Sequence, residues 1–207
     1  MKTVFVNPER CIGCKQCQIA CAVEHSVSKG LYGAISETPV PRPRILVAPG
    51  LYLDTSFPNK CRHCDPAPCM AVCPSGAIGR DGELDIVVVD GHKCIACAMC
   101  AMVCPFDVLT FYPSIGIEID KPVALKCDHC IDRRRQGRIP ACVEACKVGA
   151  LVYGELNDMV KRARTQLAVK VSSAVGEIQA EQVGLPAHIS AWRTLGESLS
   201  RAGKEVK

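Results

Sequence analysis

Large aromatic side chains are scarce in this sequence, whose 207 residues include only four Phe, four Tyr and one Trp. The hydrophobic content of 48% overstates the material available for a core, because cysteine and alanine supply much of it. Protein interiors are normally filled by large, closely packed apolar side chains. The composition therefore predicts a chain that folds around something other than its own side chains.

Other signals are also absent. No stretch approaches the roughly 18 apolar residues that a membrane-spanning helix needs, and "DIVVVD" (residues 85–90) predicts only a short buried strand. The start, "MKTVFVNPER", carries no apolar segment, twin arginine or cleavage site of an export signal. No G-x-G-x-x-G motif, phosphate-binding loop or nucleophile–base pair stands out. We therefore expect a cytoplasmic protein with no direct membrane insertion, no nucleic-acid partner and no catalytic residues of its own.

Cysteine, by contrast, is abundant, with sixteen residues in four tight groups of four. Secreted domains also concentrate cysteine, but their disulfides are spread through the chain and follow a signal peptide. Tight grouping favours metal binding in a reducing compartment instead. In chain order, the groups are Cys11, Cys14, Cys17 and Cys21; Cys61, Cys64, Cys69 and Cys73; Cys94, Cys97, Cys100 and Cys104; and Cys127, Cys130, Cys142 and Cys146.

The spacing within the groups identifies the metal. Groups one and three have the C-x2-C-x2-C-x3-C spacing of bacterial ferredoxins, and groups two and four lengthen the second gap to four and eleven residues. Three cysteines on one loop can ligate one [4Fe–4S] cube, while the fourth ligates the other cluster of a pair. Pro74 and Pro105, after the last cysteines of groups two and three, belong to the same pattern. Structural zinc seldom needs a third cysteine so close. The sequence therefore predicts four [4Fe–4S] clusters.

The crossing of the fourth cysteine requires the groups to work in pairs. Twenty residues separate Cys73 from Cys94, and they predict a hairpin with a turn at Asp81–Gly82. Groups two and three are therefore expected to pair, which leaves groups one and four to each other. Spacing alone leaves sequential pairing open, because twenty-two residues also separate groups three and four.

The motifs "PCMAVCPSGAI" in group two and "IPACVEAC" at the end of group four resemble those of four-cluster electron-transfer subunits. These are the iron–sulfur partners of dimethyl sulfoxide reductase, formate dehydrogenases and formate hydrogenlyase. The resemblance covers about residues 3–154 and implies an α+β fold of two stacked, nested ferredoxin-like units with short β-hairpins. Two residues depart from the pattern, Ala96 where glycine is usual and Lys147 where proline is common. Alanine should fit if the backbone angles there are ordinary, and the lysine is expected to raise a nearby cluster potential.

The same resemblance implies which cysteines ligate each cluster, and we name the four sets A to D. Set A is Cys11, Cys14, Cys17 and Cys146; set B is Cys127, Cys130, Cys142 and Cys21; set C is Cys61, Cys64, Cys69 and Cys104; and set D is Cys94, Cys97, Cys100 and Cys73.

Within this family, "VFVNPERCIGCKQCQIACAVEHS" and "ISETPVPRPRILV" are most similar to the iron–sulfur protein associated with carbon monoxide dehydrogenase. The resemblance implies an anaerobic electron-transfer subunit between that enzyme and a flavoprotein or hydrogenase. The same role for a formate dehydrogenase, hydrogenase or molybdopterin oxidoreductase is an alternative. A scaffold whose clusters only hold the fold is another, whereas the complete ligand count disfavours an enzyme.

Basic residues near the cysteines are expected to offset cluster charge. The formal net charge is +4, and four clusters of charge −2 would bring the holoprotein to about −4. Arg62, His63, Lys126 and His129 are candidates for this role. The insertion in group four also carries four arginines beside one acid, and it forms either a solvated loop or a docking patch for a redox partner. The candidate docking residues are Arg133, Arg134, Arg135 and Arg138.

After residue 154 the cysteines stop, so we expect a four-cluster domain over 1–154 and a helical extension over 155–207. Asn157 or Asp158 is the expected N-cap and Gly184 the stop. A second helix is expected after Pro186, and the extension either packs on the core or docks a partner through Trp192. The expected apolar faces consist of Val160, Ala163, Leu167, Val171, Ala174 and Ile178 on the first helix and of Ile189, Trp192 and Leu199 on the second.

Overall fold

Short strands and helices alternate with the cysteine loops in this computed structural model, which describes residues 2–51, 55–113 and 121–182, the last ten of these by their backbone only. The chain divides into two units, with the boundary between Leu156 and Asn157. The strands are β1 (Lys2–Val6), β2 (Ile45–Pro49), β3 (Ser56–Lys60), β4 (Ile78–Asp81), β5 (Ile86–Val89), β6 (Thr110–Tyr112), β7 (Val123–Leu125) and β8 (Leu151–Glu155). The helices are α1 (Gln16–Glu24), α2 (Leu31–Ser36), α3 (Pro68–Ala71), α4 (Met99–Met102), α5 (Ile131–Arg135), α6 (Ala141–Glu144) and α7 (Leu156–Gln182).

The strands form two-stranded antiparallel sheets, which pair β1 with β8, β2 with β3, β4 with β5 and β6 with β7. The first of these sheets joins distant parts of the chain, since Lys2 lies opposite Glu155 and Val6 opposite Leu151. Because β1 leads into group one and β8 follows group four, this sheet brings the two groups together. The mixed helix and strand content agrees with the predicted class, while the stacking of two units stays a prediction.

The predicted hairpin between groups two and three is present as β4 and β5. Its turn is longer than predicted, because Asp81 lies opposite Ile86 and four residues form the loop. The Asp81 carboxylate accepts a hydrogen bond from the amide of Leu84 at 2.8 Å, which closes this loop. Within β5, Ile86 and Val87 are buried, as the apolar run predicts.

The core depends on cysteine to an unusual degree. Helix α1 packs against α6, and α3 packs against α4. Each of these four helices carries cysteine, and eight of the sixteen cysteines are buried. Val4, Ile45 and Leu151 surround the cysteines of α1 and α6, while Ile78 and Val87 surround those of α4. The aromatic-poor composition therefore corresponds to a core in which thiols occupy the positions that large side chains usually fill.

Helix α7 begins at Leu156, so Asn157 and Asp158 lie inside its first turn, and the prediction that one of them is the N-cap is wrong. On its predicted apolar face Leu167 and Val171 are exposed, at 62% and 54%. None of the helices in the described ranges combines the length and the apolar character that a membrane crossing needs. The side chains of Ala174 and Ile178 lie outside the described residues, as do the predicted stop and the whole of the predicted second helix with Trp192.

Candidate metal centres

Cavities lie between the cysteines of sets A, C and D. Sets A, C and D enclose about 320, 340 and 290 Å³, including solvent at the openings, so the three cavities are similar in size. In each of them three cysteines of one group meet a single cysteine of another. The single cysteine is Cys146 in set A, Cys104 in set C and Cys73 in set D.

The four cysteines of set B also lie close together, and all four of them are buried. Burial raises the pKa of the Cys21 thiol well above its usual range, and the neighbouring Cys127, Cys142 and Cys130 raise it further. The backbone amide of Arg44 donates to Cys21 Sγ at 3.2 Å. Group one therefore contributes its last cysteine to the surroundings of group four. Ligation by each of the sets stays a prediction.

The chemistry of these sites fits an iron–sulfur cluster. Burial raises the pKa of Cys17 to about 11, with a further contribution from Cys146, and burial raises that of Cys130 to about 12. Four thiolates so close together in a buried site repel each other and require a cationic partner. Iron supplies that positive charge, and four soft sulfur donors are the ligands that a [4Fe–4S] cluster takes.

Left-handed backbone turns shape the cysteine loops. Gly13 and Lys15 have positive φ in group one, His63 in group two, Ala96 in group three and His129 in group four. Such turns aim backbone amides into the loop, and concave arrangements of amides bind anionic groups, including iron–sulfur clusters. The amide of His63 donates to Cys61 Sγ and that of His129 to Cys127 Sγ, both at 3.4 Å. The hydrogen bond from His129 favours the thiolate of Cys127, against the larger opposing effect of burial on its pKa.

Ala96 was expected to fit in place of glycine if its backbone angles were ordinary, but they are not. Its φ is +58°, a region in which a residue with a Cβ atom is disfavoured. Lys147, the other departure from the family pattern, is exposed. Water screens its charge, which weakens any influence on a cluster.

The four sets follow one another in a row. Neighbouring sets are close enough for a thiol of one to raise the pKa of a buried thiol of the next, in addition to the larger effect of burial. All sixteen cysteines lie in the described ranges, and of these only Cys14 in set A and Cys97 in set D are exposed. These electrostatic effects link Cys17 with Cys142 (A with B), Cys61 with Cys127 (B with C) and Cys69 with Cys100 (C with D).

The predicted charge-offsetting role of the two histidines is wrong. Burial lowers the pKa of His63 far below its usual range and that of His129 to about 2, and neighbouring cations add to both shifts. The hydrogen bonds agree with neutral rings, because Val87 N donates to His63 Nδ1 at 3.0 Å and Lys60 Nζ lies 3.2 Å from His129 Nε2. The rings pack against each other with centroids 4.2 Å apart.

Two buried lysines supply the positive charge instead, Lys126 as predicted and Lys60, which the sequence reasoning missed. A repeated pattern could have indicated it, since K-C-x-H-C occurs at residues 60–64 and again at 126–130. Burial lowers the pKa of Lys60, and Cys127 and Cys142 counteract that shift because thiolates favour the ammonium form. Arg62 is half-buried, with its guanidinium 5.8 Å from the Phe57 ring centroid and 5.4 Å from that of Phe106.

A partly buried acid beside set B was also missed, Asp128, whose side chain is 20% exposed. Asp128 accepts hydrogen bonds from His25 Nε2 at 3.0 Å and from the Arg44 guanidinium. Burial alone would raise the pKa of Asp128, but His25 and Arg44 hold it well below its usual range. The ionised carboxylate also accepts the amide of Cys130 at 2.9 Å, so it fixes the loop of group four.

Arg133 cannot serve in a docking patch or a solvated loop, and its placement there is wrong. Its side chain is only 7% exposed and lies 2.8 Å from Glu24 and in contact with Glu144. Its Nε donates to the carbonyl oxygen of Ile139 at 3.0 Å. Each of the three guanidinium nitrogens donates to a different residue, so Arg133 ties the insertion to α1 and α6.

The other arginines of the insertion are accessible to different degrees. Arg135 is half-exposed and lies 2.9 Å from Asp81, and the more exposed Arg138 lies 3.9 Å from Glu144. The Arg134 guanidinium stands 5.6 Å from the centroid of the Tyr153 ring. Docking by Arg134, Arg135 and Arg138 stays a prediction.

Comparison with known proteins places the cysteine sites in a recognised context. Residues 54–156 match the family profile of a 4Fe–4S dicluster domain. An iron–sulfur protein of Rhodospirillum rubrum is 38% identical over 163 residues, which cover 74% of this chain and 82% of that protein. The thiosulfate reductase electron transfer subunit PhsB of Salmonella typhi is 39% identical over 154 residues, covering 73% and 74%. The electron transport protein HydN of Escherichia coli is 34% identical over 178 residues, covering 79% and 97%.

Proposed function

Because this chain belongs to the family of iron–sulfur electron-transfer proteins with a 4Fe–4S dicluster domain, we propose that it carries electrons through four [4Fe–4S] clusters. It is an electron-transfer subunit rather than a catalytic one. Each bound cluster supplies a centre that accepts and releases one electron. The observation that carries the proposal is the convergence of four cysteines, three from one group and one from another, at each of four places.

We assign one cluster to each of sets A to D. In each set the four thiolates would hold the metal. In sets B and C, the backbone amides of Arg44, His129 and His63 also donate to ligand sulfurs. Hydrogen bonds to the sulfurs are among the features that set cluster potentials. The surrounding protein therefore both binds the clusters and adjusts their potentials.

The row A–B–C–D supports a path from one end of the domain to the other. Both exposed cysteines, Cys14 and Cys97, belong to the end sets, whereas every cysteine of set B is buried. An end cluster near the surface can exchange electrons with another protein, and a buried cluster can exchange them only with its neighbours. We assign electron entry and exit to the two end sets.

For the catalytic partner we propose carbon monoxide dehydrogenase, with a flavoprotein or hydrogenase as the second acceptor, all in the cytoplasm. Support comes from the run at residues 4–26 and from residues 35–47, which resemble the iron–sulfur protein associated with that enzyme. A reductase of an inorganic sulfur compound is a second candidate, favoured by the 39% identity to a thiosulfate reductase subunit.

The partner assignment is tested by electron donation. The anaerobically purified protein is mixed with catalytic amounts of carbon monoxide dehydrogenase and carbon monoxide, and cluster reduction is followed by absorbance. Formate with formate dehydrogenase is the matched comparison. We expect faster reduction, saturating at lower protein concentration, with carbon monoxide dehydrogenase. Equal or faster reduction by formate dehydrogenase would contradict the assignment, whereas clusters that no low-potential donor reduces would favour a scaffold.

A further inference from the structure

Lys60 and Lys126 hold equivalent positions in the chain, each directly before the first cysteine of its group. Both are buried, with 1% and 3% of their surface exposed. A buried ammonium close to an anionic group acts through little intervening water, so its electrostatic effect is large. Which anionic group each lysine affects therefore depends on the cysteines that its ammonium group faces.

Lys60 precedes group two but extends toward group four. Its Nζ donates to the carbonyl oxygen of Cys61 at 3.0 Å and lies 3.2 Å from Nε2 of His129, a residue in the loop of group four. Among the cysteines, Cys127 and Cys142 of set B interact most strongly with its charge, ahead of Cys61 of set C. The ammonium of Lys60 therefore faces set B.

Lys126 shows the reverse arrangement, since it precedes group four but extends toward group two. Its side chain lines the cavity of set C. Its Nζ donates to the carbonyl oxygens of Val87 and Cys127. Its positive charge favours the thiolate of Cys69, a member of set C, against the larger opposing effect of burial.

We propose that the two lysines act across the boundary between the central sets, Lys60 raising the reduction potential of the cluster in set B and Lys126 that of the cluster in set C. The inference rests on the proposed function, because it requires clusters in those sets. A cluster becomes more negative by one charge when it accepts an electron, so a nearby cation stabilises the reduced form more than the oxidised form. Both lysines are positioning residues, since they act on clusters that they do not ligate.

The end sets offer a matched control. Lys93 precedes the first cysteine of group three, as Lys60 does for group two, but its side chain is 64% exposed and lies 3.6 Å from Asp90. Arg10, at the same position before group one, is also exposed. Exposed charges are screened by water and by their partners. The basic residue before a group therefore has no comparable effect in sets A and D.

The test is a potentiometric titration of anaerobically purified full-length protein, monitored by electron paramagnetic resonance. The variants are Lys60→Met, Lys126→Met and the control Lys93→Met, with Cys130→Ser and Cys64→Ser used to assign the signals of sets B and C. For Lys60→Met we expect the ratio of reduced to oxidised cluster in set B to fall at least tenfold at fixed potential, a downward shift of about 59 mV for one electron. Lys126→Met should do the same in set C, and Lys93→Met should shift neither.

The inference predicts a crossed pattern, in which Lys60→Met shifts the potential of set B and Lys126→Met shifts that of set C. A shift confined to set C in Lys60→Met, or shifts of equal size in Lys93→Met, would overturn the inference. If Lys60→Met instead loses a cluster, loss from set B with retention in Lys60→Arg supports the inference, and loss from set C contradicts it. The iron content of the unmodified protein is measured first. Too few clusters there would contradict the proposed function, whereas four clusters with uncrossed shifts would contradict only this inference.

Discussion

Ala96 has a φ of +58°, and Gly13, its counterpart in group one, has a φ of +68°. Glycine adopts this left-handed region without steric cost, but an alanine there is disfavoured by about 1–2 kcal/mol. Group three therefore keeps the loop shape of group one despite an unfavourable residue. The position of the amide, rather than the side chain, is what the loop requires.

Replacing Ala96 with glycine should stabilise the protein by up to about 1 kcal/mol, because relief of the left-handed strain exceeds the added chain entropy. The measurement is the midpoint of thermal loss of cluster absorbance under anaerobic conditions. Ala20→Gly inside α1 is the control and should lower the midpoint, because glycine disfavours a helix interior. A midpoint for Ala96→Gly at or below that of the unmodified protein would show that the strain is absent.

For individual residues, the sequence predicts the candidate metal ligands well and the charges around them poorly. Cysteine spacing is a local property, so the four groups can be read directly. A basic residue also precedes every group, at Arg10, Lys60, Lys93 and Lys126. Only Lys60 and Lys126 are buried. The K-C-x-H-C pattern that both of them begin is the local feature that separates them from Arg10 and Lys93, but burial itself depends on which segments pack above each residue.

Among the secondary-structure elements, the insertion of group four departs most from expectation. Its arginines predict either a solvated loop or a docking patch, but the Arg133 side chain is buried against Glu24 and Glu144. Its partner Glu24 lies 109 residues away in the sequence, so no local pattern could indicate the contact. The hairpin of β4 and β5 is the opposite case, since its apolar run and its turn residues are local and predict the hairpin, although the turn is longer than predicted.

Removing the guanidinium in Arg133→Met should destabilise the protein by about 3 kcal/mol, the low end of the range for breaking a buried ion pair, because Glu144 is half-exposed and can be hydrated. Anaerobic thermal loss of cluster absorbance again provides the measurement. Arg135→Met is the control, since its pair with Asp81 is more exposed and should contribute less than about 1 kcal/mol. Equal destabilisation by the two substitutions would show that the buried contacts of Arg133 contribute no more than the exposed pair of Arg135.

For the whole molecule, the sequence left two pairings of the cysteine groups open. The linkers have nearly the same length, twenty and twenty-two residues, so loop length does not choose between them. The contacts of β1 with β8 and of α1 with α6 bring groups one and four together. Those contacts join opposite ends of the first unit, which is why spacing alone could not reveal them.

Set A provides a long-range test of this arrangement. Cys146→Ser should disturb the cluster that Cys11, Cys14 and Cys17 hold, because serine is a poorer ligand for iron than a thiolate. Electron paramagnetic resonance of the reduced protein should show one altered signal, with the signals of sets C and D unchanged. An altered cluster at Cys94, Cys97 and Cys100 would instead indicate sequential pairing.

The most direct measurement of the central claim is the iron and acid-labile sulfide content of the anaerobically purified protein. Four [4Fe–4S] clusters require about 16 iron and 16 sulfide per chain. The cysteine sets A to D predict that value. A content near eight iron, as for two clusters, or zinc in stoichiometric amounts without sulfide, would contradict it.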